Sequence, residues 1–148
     1  MTIRRRAREI ALQVLYQLDI DPQDPKKVIA LHWENFQPSE QAREFCLRLV
    51  EGVLQNRKEI DPLIEENSEN WTLKRMAVVD RNILRLAAFE LRYCPDIPFK
   101  VTLNEAIELA KKFGADDSGA FINGILDKIY SLLDKTLKDQ PDIPWAKT

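Results

Sequence analysis

Arg4, Arg5, Arg6 and Arg8 crowd the head of a stretch, Thr2 to Leu18, whose apolar residues recur at helical spacing. Ile3, Ala7, Ile10, Ala11, Val14, Leu15 and Leu18 form one side that can enter a core. At about 100° per residue, the opposite side carries Arg5, Arg8, Leu12 and Tyr16. Arginine beside an exposed ring suits phosphates and unstacked bases. The charge is also on the unfavourable end, because a helix N-terminus prefers anions. An arriving phosphate reverses that mismatch and uses the free backbone N–H groups. The competing reading is a solvated basic terminus, with Leu12 and Tyr16 covered by another helix.

A second group surrounds Gly114. Lys111 and Lys112 precede it, Asp116, Asp117, Ser118 and Phe121 follow, and Lys100 is in the same region. Two acids before a helix serve as caps more often than as a catalytic dyad. Phe121 suits either core packing or a contact surface. Asp80 and Glu90 fall on the apolar side of a central helix, where carboxylates need partners. Arginine is the expected donor, bidentate to carboxylate. The alternative is a groove in which one of them meets a partner protein.

Catalytic equipment is sparse. His32 is the only histidine and has no clustered ligands, so no metal site is expected. There is no Gly-rich phosphate loop, no Gly-x-Ser-x-Gly and no His-x-x-x-His. A binding module without a cofactor therefore outranks an enzyme.

Helices must position these groups. Asp24 caps a second helix that starts at Pro25 and runs from Val28 to Phe36. Ser39 caps a third, with Ala42, Phe45, Cys46, Leu49, Val50, Val53 and Leu54 as its stripe, stopping near Asn56. Asp61-Pro62 reads as a restart, and residues 65–70 as a polar hinge before Trp71 and a Thr72 cap. The central helix spans roughly Leu73 to Arg92. Thr102-Leu103-Asn104-Glu105 reads as a capping box, and Gly114 as a stop. Ile122, Ile125, Leu126 and Ile129 mark the last helix, where Gly124 suggests close helix contact. A loosely held tail follows from Lys138, with Trp145 docking locally.

The 148 residues suffice for one all-α domain, spanning 1–148, with a real core. A composition of 45% hydrophobic and 31% charged residues with only 4 Gly is ordinary for a globular helical chain. Formal net charge is −2, yet residues 1–16 hold four Arg against one Glu, so a nucleic-acid site should be a local patch. Cys46 and Cys94 read as buried free thiols of a reducing compartment. No apolar run reaches membrane-spanning length. The basic start does not read as a signal peptide, since Glu9, Gln13, Gln17 and Asp19 interrupt the apolar part. These features together predict a cytoplasmic protein.

Three blocks carry a wider resemblance. The first is Arg4-Arg5-Arg6-Ala7-Arg8-Glu9-x-Ala11-Leu12-Gln13-x-Leu15-Tyr16. The second is Asp80-Arg81-x-Ile83-Leu84-Arg85-x-Ala87-x-x-Glu90-Leu91. The third runs from Asn104 to Gly114 and continues through Asp117-Ser118 and Phe121 to Lys128. In this order they make the chain resemble the NusB family of bacterial transcription antitermination factors. The resemblance implies two packed helical bundles. It also implies binding to single-stranded boxA RNA, a heterodimer with NusE (a small-subunit ribosomal protein), and entry into an antitermination complex with RNA polymerase. It leaves a homodimer open. Residue by residue, it implies an RNA surface of Arg4, Arg5, Arg6, Arg8, Tyr16, Asp117, Ser118 and Phe121, with Asp80 toward NusE. Gly119-Ala120 departs from the basic or polar pair common in the family, so the expected phosphate contact of that turn is either weaker or supplied by Lys111 or Lys112 instead. Two rivals are a domain supporting an RNA methyltransferase, for which the chain has no cofactor loop, and a helical protein adaptor without an RNA role.

Overall fold

The computed structural model describes residues 2–138, and side chains of residues 2–134. The expected docking of Trp145 and the tail beyond Lys138 lie outside the described residues. Seven α-helices and one 3-10 turn, with no strand, make up the described residues. Helices α1 (Ile3–Ile20), α2 (Pro25–Phe36) and α3 (Glu40–Gln55) pack as one bundle. Helices α4 (Arg57–Glu66), α5 (Val78–Tyr93), α6 (Phe99–Phe113) and α7 (Ser118–Lys138) pack as the second. Helix α5 also lies against α1 and α3, so one continuous apolar cluster joins both bundles. Ile10, Leu12, Leu49, Ile64, Ile83, Leu86, Ile122 and Ile129 are among its fully buried side chains.

Local chemistry sets most of the boundaries. Thr2 caps α1 by accepting from the Arg5 N–H, Asp24 caps α2 through the Lys26 N–H, and Ser39 caps α3 through the Ala42 N–H. Each satisfies a donor that the first turn leaves free. Pro25 opens α2, where its missing N–H costs nothing.

Three expected boundaries move because a distant partner claims the residue. Asp61 does not cap a helix; its carboxylate accepts two bonds from Arg85, at 2.9 and 3.2 Å, and α4 begins earlier, with Pro62 inside it. Thr102 does not form a capping box. The chain enters α6 from Pro98, which places Thr102 one turn inside, where its hydroxyl donates to Glu90 Oε1 at 2.9 Å. The central helix begins only at Val78. Leu73–Arg75 forms a separate 3-10 turn, its first N–H bonded to Glu65 Oε1 at 2.9 Å.

The glycines also differ from expectation. Gly124 is exposed, and an added Cβ would meet nothing within 4 Å. Gly52 is the position of close approach: a Cβ there would collide with the Phe89 ring. Cys46 and Cys94 are buried free thiols, and burial pushes their pKa values up to about 12 and about 11, which keeps them protonated and unreactive. Among the described residues no helix is long and apolar enough to cross a membrane, and no cluster of His, Cys, Asp and Glu could hold a metal ion.

Candidate nucleic-acid interface

Helix α1 is not a simple amphipathic helix. It is covered on one side by α2 and α3 and on another by α5, so Leu12 is a core residue, 2% exposed. Arg8 is drawn in with it. Its guanidinium donates to both oxygens of Glu90, at 2.8 and 2.9 Å, with both side chains almost inaccessible. The Thr102 hydroxyl completes the site on Glu90. Arginine is thus the partner of Glu90, as expected, but the donor comes from the proposed RNA surface. The expected phosphate contact of Arg8 is corrected on this ground: the group is buried and neutralised.

The other head arginines are held at the surface. Arg5 donates to Glu105 at 3.0 and 3.3 Å while keeping its side chain 42% exposed, and that bond raises its pKa further above the ordinary value. Arg4 lies 3.7 Å from Asp96 and over the Phe45 ring. Arg6 donates to the Phe36 carbonyl at 3.2 Å. The local positive charge is therefore partly offset by acids from the second bundle and from the loop before α6.

Further along α1, Glu9 and Tyr16 continue the side that begins at Arg5. Lys112 from the end of α6 reaches Glu9 Oε1 at 2.7 Å, yet half of its side chain stays open. Tyr16 is 38% exposed and is not a core residue. Lys111 is exposed and loosely paired with Glu108 at 3.5 Å. Arg5, Lys112 and Tyr16 therefore all keep solvent-accessible side chains, and Lys111 is exposed next to Lys112 on α6.

The turn into α7 divides. Asp117 is exposed, whereas Ser118 is 1% exposed and its Oγ accepts from the Ala115 N–H at 2.9 Å. The expected RNA contact of the Ser118 side chain is corrected accordingly: the hydroxyl closes the turn and faces inward. Gly114 permits this, since a Cβ there would stand 2.7 Å from that hydroxyl. Between α6 and α7 a surface depression of about 470 Å³ is lined by Lys111, Gly114, Asp116, Gly119, Ala120 and Asn123, among others. The small Gly119-Ala120 pair leaves it open, and Lys111 supplies a cation at its wall.

Phe121 is half-buried, and its ring meets Trp71 edge-on at 5.9 Å. Trp71 itself is 47% exposed. Sequence reasoning placed Trp71 only as the residue after a polar hinge and missed it as a surface ring. Its setting in a polar segment was the available signal. Asp80, in the first turn of α5, is half-buried, and its Oδ1 is enclosed without a hydrogen-bond partner among the described residues. No arginine claims it, unlike Glu90.

The NusB family profile matches residues 5–131. The transcription antitermination protein NusB of Geotalea uraniireducens is 57% identical over 141 residues, covering 90% of this chain and 97% of that protein. The NusB of Desulfatibacillum aliphaticivorans is 49% identical over 135 residues, covering 91% and 94%. Among solved structures, T. maritima NusB superposes with a TM-score of 0.82 at 40% identity, covering 88% of this chain and 92% of that one. A chain from the structure of antitermination factors NusB and NusE in complex with dsRNA superposes with a TM-score of 0.82 at 29% identity, covering 89% and 98%.

Proposed function

Since this chain belongs to the NusB family, we propose that it is a transcription antitermination factor, acting by binding and not as an enzyme, with RNA and NusE as its partners. The observation that carries the RNA side is the exposed band of Arg5, Lys112 and Tyr16, with Lys111 beside it. Glu105 and Glu9 fix the two nearest cations without burying them, so they meet a phosphate already oriented. Arg4, Arg6, Asp117 and Phe121 flank the band. Arg8 and Ser118 act through positioning, holding α1 and the α7 turn in place.

The favoured RNA is a single-stranded boxA-type element of a nascent transcript, because an exposed tyrosine beside cations suits an unstacked base. The half-buried carboxylate of Asp80, which no cation among the described residues pairs, suits a donor brought by NusE. The pair then joins the elongating RNA polymerase, in the cytoplasm.

Titration of labelled boxA-type RNA, with and without NusE, tests this reading. Expected are tighter binding with NusE and loss of affinity with salt, the slope falling by about 0.7 per lost phosphate contact. A duplex of the same sequence is the control, since the related complex contains double-stranded RNA. Equal affinity for both, unchanged by NusE, removes the single-strand assignment. NusE binding without any RNA binding supports the protein-adaptor reading instead. Sedimentation of the protein alone reads whether it forms a homodimer.

A further inference from the structure

Three of the four head arginines have carboxylate partners: Arg4 has Asp96, Arg5 has Glu105 and Arg8 has Glu90. Arg6 has none. Its guanidinium lies over the Phe36 ring, 5.1 Å from the centroid, and is tied only to that residue's carbonyl. A second guanidinium, Arg43 on α3, lies over the Trp33 ring at 5.0 Å and is exposed. Glu34, Glu40 and Glu44 stand on the same two helices. Nevertheless, no carboxylate among the described residues lies within ion-pair distance of Arg6 or Arg43.

The rings form a row. Trp33 and Phe36 are one turn apart on α2 and share a side, and His32 stacks on Phe36 with centroids 5.8 Å apart. The Trp33 indole N–H has no acceptor among the described residues, so packing and the guanidinium hold that ring in place. A guanidinium braced on a ring loses little freedom when a base stacks on its open side. Its charge remains available for a phosphate.

We propose that Arg6 and Arg43, braced on Phe36 and Trp33, form a second subsite for single-stranded RNA on the α2 flank of α1. This rests on the RNA-binding reading above and extends it. Arg6 neighbours Arg5 in sequence but turns to α2, whereas Arg5 turns to α6, so the head of α1 joins the two surfaces. RNA fits better than a protein partner. Each nucleotide brings a phosphate, whereas a protein interface that buries two unpaired guanidiniums must supply a carboxylate for each.

The test compares wild type with Arg43→Lys and Arg43→Gln on the full chain, using a labelled boxA-type single strand with and without extra nucleotides at both ends. Arg43 is exposed, so melting temperatures should match wild type. Arg43→Lys keeps the charge and loses the planar platform. It should bind the extended strand about fivefold or more weakly, the low end for a lost stacking contact, with an unchanged salt slope. Arg43→Gln should bind more weakly still, with the slope reduced by about 0.7. If both variants bind like wild type while Arg5→Gln binds weakly, this subsite is refuted and the RNA reading stands. If wild type binds no RNA, both fall. If Arg43→Gln weakens NusE binding alone, the surface belongs to protein contact and the proposal is overturned.

Discussion

Arg8 and Glu90 each make sense only with the other present. Both side chains are almost inaccessible, and the Thr102 hydroxyl takes up further capacity of the carboxylate. Removing one charge leaves the other buried and unpaired, which costs about 3–5 kcal/mol. Arg8→Ala should therefore lower the urea midpoint sharply, and any fraction that still folds should retain most of its RNA affinity. Near-normal stability with lost RNA binding would return Arg8 to the RNA surface. Tyr16 stands at the opposite extreme. Its exposed ring predicts that Tyr16→Ala costs under about 1 kcal/mol of stability. The same variant should weaken RNA binding roughly tenfold, within the range of a lost stacking contact. Melting temperature and RNA affinity measured on one preparation separate these roles. Asp80→Asn should weaken the NusE complex with little change in melting temperature, because no cation among the described residues pairs with its carboxylate. A lowered melting temperature with NusE affinity intact would instead make Asp80 structural.

At the scale of elements, sequence could identify interactions whose partners lie close along the chain. The Asp24-Pro25 and Ser39 starts are legible because a cap bonds its own first turn. Asp61 and Thr102 carry the same local signature, but Arg85 and Glu90 compete for them across 24 and 12 residues, and no local pattern reveals that. Helix α1 misleads for a related reason. A face with Arg8 and Leu12 looks exposed when one buried side is assumed, yet α5 covers a second side. Arg5 and Tyr16 remain legible as surface groups because nothing covers them fully. The glycines give a paired test. Gly124→Ala should stabilise by up to about 1 kcal/mol, since the site is open and helical. Gly52→Ala should destabilise by about 1–3 kcal/mol, because the Phe89 ring must move. Thermal melts of both variants decide it, and equal shifts of the same sign would refute the packing argument.

For the whole molecule, the junction of the two bundles is ionic as well as apolar. Asp19, at the end of α1, accepts from Arg81 at 2.7 and 2.9 Å, from Asn82 at 2.9 Å and from Arg85 at 3.0 Å. Arg85 also holds Asp61 of α4. Burial pushes the Asp19 carboxyl up, but the hydrogen bonds from Arg81 and Asn82 and the charges of Arg85 and Arg81 leave it below its ordinary value of 3.8. A depressed carboxylate stabilises the fold fully above the unfolded value, and the gain is lost as pH falls through the folded one. Urea midpoints should therefore fall steeply below about pH 4, and less steeply in Asp19→Asn. Asp96, held down by its bond from Arg48, works in the same direction but is exposed and adds less. Parallel slopes in the two proteins would exclude Asp19 as a source.

The partners of the arginine helix have a consequence for the order of synthesis. Arg8 waits for a carboxylate 82 residues later, and Arg5 for one 100 residues later. On the ribosome, α1 emerges before α5 and α6, at roughly 5–20 residues per second for the growing chain. It then exists for seconds as a basic, half-apolar segment without either counter-charge. Helix α1 is thus translated well before both of its counter-charges and is among the last of the described elements to reach its final setting. A nascent chain halted before Glu105 would offer arginines to any polyanion nearby, without the orientation that makes them selective.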